Sequence, residues 1–258
     1  MFIETGSTIS ILLLLSFTVL LLGCEDSAEE EAAVMAEKDF AVLVFSKTAG
    51  WRHDSIEAGQ KAIEKLGADN GFSVTLTENS DYFTPEHLSI YDAVIFLNTT
   101  QTLFDDNQRE SFKQYIQNGG GFVGIHSATD TECDWPWYVR LVGACFDNHP
   151  NDPGVRDAII DVADSSHPST EMLPQRWQRS DEWYNFGFIS EDINVLLKLD
   201  TDSYEGSDHP GNHPIAWYHE YDGGRSFYTA LGHTIESYSE DLFLQHLLGG
   251  ILYAVEQD

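Results

Sequence analysis

Six histidines fall in short polar-aromatic phrases: G-W-R-H at His53, G-I-H-S-A at His126, N-H-P at His149, N-H-P-I-A-W at His213, W-Y-H-E at His219 and G-H-T at His233. Imidazole exchanges protons near neutral pH and ligates transition metals, so such phrases at strand ends mark a candidate site. His126 and His233 with the carboxylates of Asp181 and Glu182 form the candidate catalytic set, because an imidazole beside a carboxylate moves protons on and off a carbon or an oxygen. His53, His126 and His233 can equally hold a divalent metal such as zinc, although no H-E-x-x-H or other compact ligand spacing is present. Metal-free and metal-assisted chemistry both stay open. Trp51, Arg52, His149, Tyr184, His213 and Trp217 are the candidate substrate contacts: aromatic faces stack on sugar C–H faces while polar groups address hydroxyls, a mixture suited to a small-molecule carbohydrate. His149 and His213 precede prolines, and shaping a turn is their competing reading.

These residues need strand ends to stand on, and the first half of the chain supplies them. Phe40–Ser46 and Tyr91–Leu97 are continuous apolar runs, as expected of parallel strands buried on both faces, and Gly121–Ile125 ends on His126. Phe72–Leu76 reads as a shorter strand, and Ser55–Gly71 and Asp105–Asn118 read as helices. The alternation predicts a flavodoxin-like, doubly wound α/β fold with a mostly parallel sheet. In the second half, Val155–Val162, Ile193–Leu199, Pro214–Glu220 and Arg225–Leu231 read as strands, with a hairpin turn at Tyr221–Gly224 that makes the last two antiparallel. Asp241–Val255 closes the chain as an amphipathic helix. Ligands in such folds bind beyond the carboxyl ends of the strands, where His53, Asn98, His126 and His233 all follow strands.

The N-terminus speaks to compartment. Ile11–Leu22 is an apolar run of 12 residues broken only by Ser16 and Thr18, too short for a convincing membrane span and suited to a signal peptide over residues 1–23. Leu21-Leu22-Gly23-Cys24 resembles a bacterial lipobox, with Cys24 as the lipidated residue. The leader departs from the pattern in holding Glu4 and no Lys or Arg before the apolar run, and a retained anchor helix is the alternative. Residues 24–38 are acidic and free of aromatics, a solvated tether ahead of a single domain over residues 39–258. The expectation is a lipid-anchored protein of the bacterial cell envelope, periplasmic or surface-exposed. It touches the membrane only through the anchor. A net charge of −30 argues against nucleic acid as a partner. Cys133 and Cys145 are the cysteines left after Cys24, and the sequence leaves open whether they pair.

Several phrases keep a family's order. Gly50-Trp-Arg-His-Asp-Ser-Ile56, Gly119-Gly-Gly-Phe-Val-Gly-Ile-His-Ser-Ala128, Phe146-Asp-Asn-His-Pro150, His167-Pro168, Asp181-Glu-Trp-Tyr184, His213-Pro-Ile-Ala-Trp217 and Gly224-Arg-Ser-Phe-Tyr-Thr-Ala-Leu-Gly-His-Thr234 resemble those of the ThuA-like, or trehalose-utilisation, family. The resemblance spans roughly residues 40–255. It implies a class I glutamine-amidotransferase-like fold and a link to sugar metabolism, with keto-sugars made by partner dehydrogenases as candidate substrates. Amidotransferase relatives carry a nucleophilic Cys at the turn after the strand matching Gly121–Ile125, where this chain has His126. Imidazole does not replace a thiolate, so glutamine hydrolysis is not expected. The expected activity is that of a carbohydrate hydrolase, lyase or isomerase. A non-catalytic sugar-binding lipoprotein is the alternative.

Overall fold

Apolar runs flanked by helices become the centre of a nine-stranded sheet. The strands are β1 (Ala41–Phe45), β2 (Ser73–Thr77), β3 (Ala93–Leu97), β4 (Gly121–Ile125), β5 (Ala144–Asn148), β6 (Val155–Val162), β7 (Arg176–Glu182), β8 (Asn185–Ile189), β9 (Asn194–Leu199), β10 (His213–Tyr221) and β11 (Gly224–Thr229). Ladder order is β2-β1-β3-β4-β11-β10-β9-β6-β7, with β5 and β8 forming a separate two-stranded ribbon. The strands from β2 to β11 are mutually parallel, and the order reverses at β1, as expected of a doubly wound sheet. From β10 outward the pairing is antiparallel, and β10 and β11 form the expected hairpin. This computed structural model describes residues 1–2 and 40–256, so the expected leader, Cys24 and the acidic tether lie outside the described residues.

The long helices are α1 (Ile56–Asn70), α2 (Asp106–Gln117), α3 (Pro136–Val142) and α4 (Asp241–Val255). An Asp105–Gln108 capping box starts α2, and left-handed Gly71 ends α1. Every residue of β3 and β4 is buried, so their side chains have no polar face to display. Residues Ser46–Ser55, Asn98–Asp105 and the turns after β4 and β11 all gather at the carboxyl ends of the parallel strands.

One structural histidine sets an acid limit on stability. His246 on α4 is fully buried and donates from Nδ1 to the Ser169 carbonyl at 2.8 Å, while its Nε2 has no partner among the described residues. Burial pushes its pKa down to about 4. The unfolded chain accepts this proton near ~6.5. Between those values the unfolded state binds more protons, so stability falls as pH falls through that window, by about 3 kcal/mol if His246 acts alone. Urea midpoints measured at pH 7.5 and 4.5 should show the fall, and His246→Gln should make it smaller. An equal fall in the variant would assign the effect elsewhere.

Candidate functional site

The turn after β4 is one of several places where the backbone takes a left-handed conformation. His126 sits in the left-handed region at φ 50°, a conformation costly for a residue with a Cβ. Two hydrogen bonds hold it there: the Tyr228 hydroxyl donates to the His126 carbonyl at 2.8 Å, and His126 Nδ1 donates to the Ala230 carbonyl at 2.8 Å. A carbonyl only accepts, so Nδ1 carries the hydrogen and Nε2 faces the other site groups. There it lies 3.2 Å from His233 Nδ1 and 3.4 Å from Glu182 Oε2. His233 Nδ1 is in turn 3.1 Å from the same Glu182 oxygen. The His53 ring stands edge-on to both, with centroids 4.8 Å from His126 and 5.2 Å from His233. The distant imidazoles therefore do converge, as the strand-end argument expected.

Glu182 arrives from the far edge of the sheet. Although β7 is four ladder steps from β11, its end returns to the loop that follows β11 through Asp181. Asp181 Oδ2 accepts from Gly232 N at 2.9 Å and Oδ1 from His233 N at 3.1 Å. Arg179, two residues earlier on the same face of β7, lies 3.2 Å from Asp181 Oδ2 and also from Glu240 Oε2, with its guanidinium over the Trp177 and Phe243 rings. Gly232 takes φ 104° at the turn that presents its N–H to Asp181, which favours glycine there. Strand alternation then sends Glu182 to the opposite side, toward the imidazoles.

The electrostatics of this group are those of a proton-handling set. Burial would raise the Glu182 carboxyl, but the adjacent imidazoles of His126 and His233 outweigh it and hold it well below the usual carboxylate range. Burial would likewise lower His233, yet the Glu182 contact and the charge of Asp181 raise it. His53 is pushed down to about 2, first by burial and then by its imidazole neighbours. One carboxylate thus stays ionised beside one imidazole that keeps its proton and one that sheds it.

Above the group opens a cavity of about 370 Å³, with Glu182, His233 and His53 in its floor. Trp51, Phe146 and Tyr184 supply apolar surface, and Asp130, His149 and Asn151 supply polar groups. Among the described residues, neither Lys nor Arg lines it. Phe146 comes from the β5–β8 ribbon and packs on Tyr184 at 4.3 Å, which packs on His126 at 4.2 Å. A disulfide between Cys133 and Cys145 ties that ribbon to the segment after the β4 turn, so neither thiol is a nucleophile.

The candidates separate on this geometry. Glu182, His233, His53, Trp51, His149 and Tyr184 line the cavity, and His149 Nδ1 lies 3.4 Å from Glu182 Oε1. His126 is fully buried behind them, against Glu182, His233, Tyr184 and His53. Asp181, read as catalytic from sequence, is instead fully committed to backbone N–H groups and Arg179, which makes it a positioning residue. Arg52 is turned away in exposed pairs with Glu57 and Glu78. His213 donates or accepts among Tyr204, Ser207 and the Tyr184 carbonyl beneath the site, and Trp217 is a core residue donating to the Val142 carbonyl. These three belong to the scaffold rather than to the cavity. Asp130 and Asn151 escaped the sequence reading. Asp130 follows His126 by one short helical turn (His126–Asp130), a spacing that carried the signal, whereas nothing local marks Asn151. Burial raises the Asp130 carboxyl, which accepts from Gln101 Nε2 at 2.9 Å.

Comparison with known proteins places this arrangement. A ThuA-like protein from Bacteroides uniformis is similar at 25% identity and TM-score 0.70, over 85% of this chain and 92% of that one. One from Parabacteroides merdae has 18% identity and TM-score 0.63, over 84% and 90%. A cytoplasmic protein from Salmonella typhimurium LT2, at 10% identity and TM-score 0.60 over 84% and 100%, shares the fold. No curated protein matches the chain. The sequence model of the ThuA family, described as trehalose utilisation, matches residues 41–254, and the chain belongs to that family.

Proposed function

We propose that this protein is an exported enzyme acting on a carbohydrate, a glycoside or keto-sugar hydrolase, lyase or isomerase that works by imidazole–carboxylate acid–base chemistry. The observation that carries the reading is the Glu182–His233 contact of 3.1 Å at the floor of an aromatic-walled cavity. Family membership supplies the link to sugars. Tyr184, Phe146 and Trp51 offer faces for a sugar ring, and Asn151, His149 and Asp130 offer hydrogen bonds to its hydroxyls. His233, beside Glu182, can hand a proton to an oxygen, and Asp130, whose carboxyl burial raises, stands in the lining as the group to accept one. The absence of Lys and Arg from the lining favours neutral sugars over phosphorylated or acidic ones. Glutamine hydrolysis is disfavoured by His126 at the nucleophile turn.

The test is a panel of unmodified and 3-keto disaccharides, followed by product analysis and calorimetry in parallel. Product from one member supports the enzyme. Binding without product from any member would replace it with a sugar-capture protein.

Export rests on the Leu21–Cys24 phrase, and a disulfide suits an oxidising compartment. Cys24→Ser is expected to move the protein from the membrane to the soluble fraction, and unchanged membrane retention would count against lipidation.

A further inference from the structure

We propose that His53, His126, Glu182 and His233 form a binding site for one divalent transition-metal ion, with its open side toward the cavity. This deepens the proposed function at the same site and rests on the same cluster of side chains, through three observations.

The first is an accounting of hydrogens. Because His126 Nδ1 is spent on the Ala230 carbonyl, Nε2 of the neutral ring is a bare lone pair. It faces Glu182 Oε2, an acceptor, at 3.4 Å, and His233 Nδ1 at 3.2 Å. His233 Nδ1 can offer a single hydrogen to both neighbours. Facing lone pairs in a largely buried setting favour a cation between them, either an added proton or a metal ion.

The second is the spacing. Zinc bound to nitrogen or carboxylate oxygen at about 2.0–2.1 Å in a tetrahedron sets its ligand atoms about 3.3 Å apart. The three contacts among His126 Nε2, His233 Nδ1 and Glu182 Oε2 measure 3.2, 3.4 and 3.1 Å. Including His53, the four residues offer ligand atoms that all lie within 4.8 Å of one another.

The third is the surrounding support. Metal-ligating histidines characteristically donate their other ring nitrogen to a carbonyl or carboxylate, which is what His126 does with Ala230. The loop bearing His233 is clamped through its backbone by Asp181. Three imidazoles, one carboxylate and no thiolate suit zinc or a neighbouring first-row ion rather than calcium or magnesium. An ion there would act as a Lewis acid on a carbonyl or hydroxyl oxygen of a sugar in the cavity. Asp130 and His149, which line the cavity outside the ligand set, then stand as the groups that move protons.

The experiment uses the purified chain, stripped with chelator and titrated with Zn²⁺ by calorimetry, with Co²⁺ as a spectroscopic probe. The expected result is one Zn²⁺ per chain, a raised melting temperature, and a visible Co²⁺ absorption band typical of four-coordination. His126→Asn and Glu182→Gln should each weaken Zn²⁺ binding by at least about 100-fold, while the control His87→Ala, an exposed histidine, leaves it unchanged. Circular dichroism of both variants checks that they fold. Failure of the wild type to bind Zn²⁺ or Co²⁺ overturns the site in favour of a shared proton, and so does binding that both site variants retain. Metal binding without sugar turnover would refute the enzyme reading and leave this site standing; turnover by a chain that binds no metal would leave the enzyme reading standing and refute this site.

Discussion

Glu182→Gln is expected to lower turnover by about 10²–10⁴-fold while leaving the protein folded. The amide keeps the shape of the side chain but loses the charge that holds His233 protonated and engages His126. The backbone N–H groups of the neighbouring loop are held by Asp181 rather than by that charge. The loss should appear in kcat more than in KM, because sugar stacking on Tyr184 and Trp51 is untouched. Steady-state kinetics beside a urea melt reads both quantities. Wild-type kcat in Glu182→Gln would remove this carboxylate from the chemistry.

The adjacent residue should behave in the opposite way. Asp181→Ala is expected to cost about 3–5 kcal/mol of stability, the usual range for breaking a buried ion pair by removing one partner. It strips Arg179 of one carboxylate and leaves the Gly232 and His233 N–H groups without their acceptor. For a domain of this size that amounts to a drop in Tm of about 10 °C. Activity should fall too, because the His233 loop loses its clamp, and Asp181→Asn should recover part of both by accepting one of the two N–H groups. A melting temperature within a degree of wild type for Asp181→Ala would show that the clamp does not bear on stability.

Why two neighbouring acids differ so sharply explains how far the sequence could be read. Along a strand successive side chains point to opposite faces, so alternation alone sends Asp181 to the loop and Glu182 to the cavity. The strand itself was not legible: Arg176–Glu182 carries five charged or amide side chains and lacks the apolar alternation of a half-buried strand. Its ladder partner β6 and the aromatic shelf of Trp177 and Phe243 under Arg179 are tertiary facts. Without the strand there was no parity, and both acids were read as catalytic.

His213 and Trp217 failed in the reverse direction. Their phrase of His, Pro, aromatic and polar residues suggested a pocket loop, but it forms β10, paired on both sides, whose side chains enter the core. The same polar-aromatic mixture serves a buried strand when each polar atom finds a partner, as His213 does with Tyr204, Ser207 and Tyr184. The parallel strands, by contrast, were plain in the apolar runs at Ala41–Phe45 and Ala93–Leu97, and the doubly wound order fixed where their carboxyl ends must lie. The convergence of His53, His126 and His233 followed from that topology. The separate β5–β8 ribbon, which brings Phe146 to the cavity, had no comparable pattern because its strands are short and their burial fades from one end to the other instead of alternating.

The most direct measurement of the central claim is a crystal structure of the protein soaked with a disaccharide or its 3-keto derivative. A sugar ring is expected against Tyr184, Phe146 or Trp51, with one of its oxygens within hydrogen-bond reach of Glu182 or His233. Sugar ordered at another surface, with the cavity over His53, Glu182 and His233 left to solvent, would contradict it.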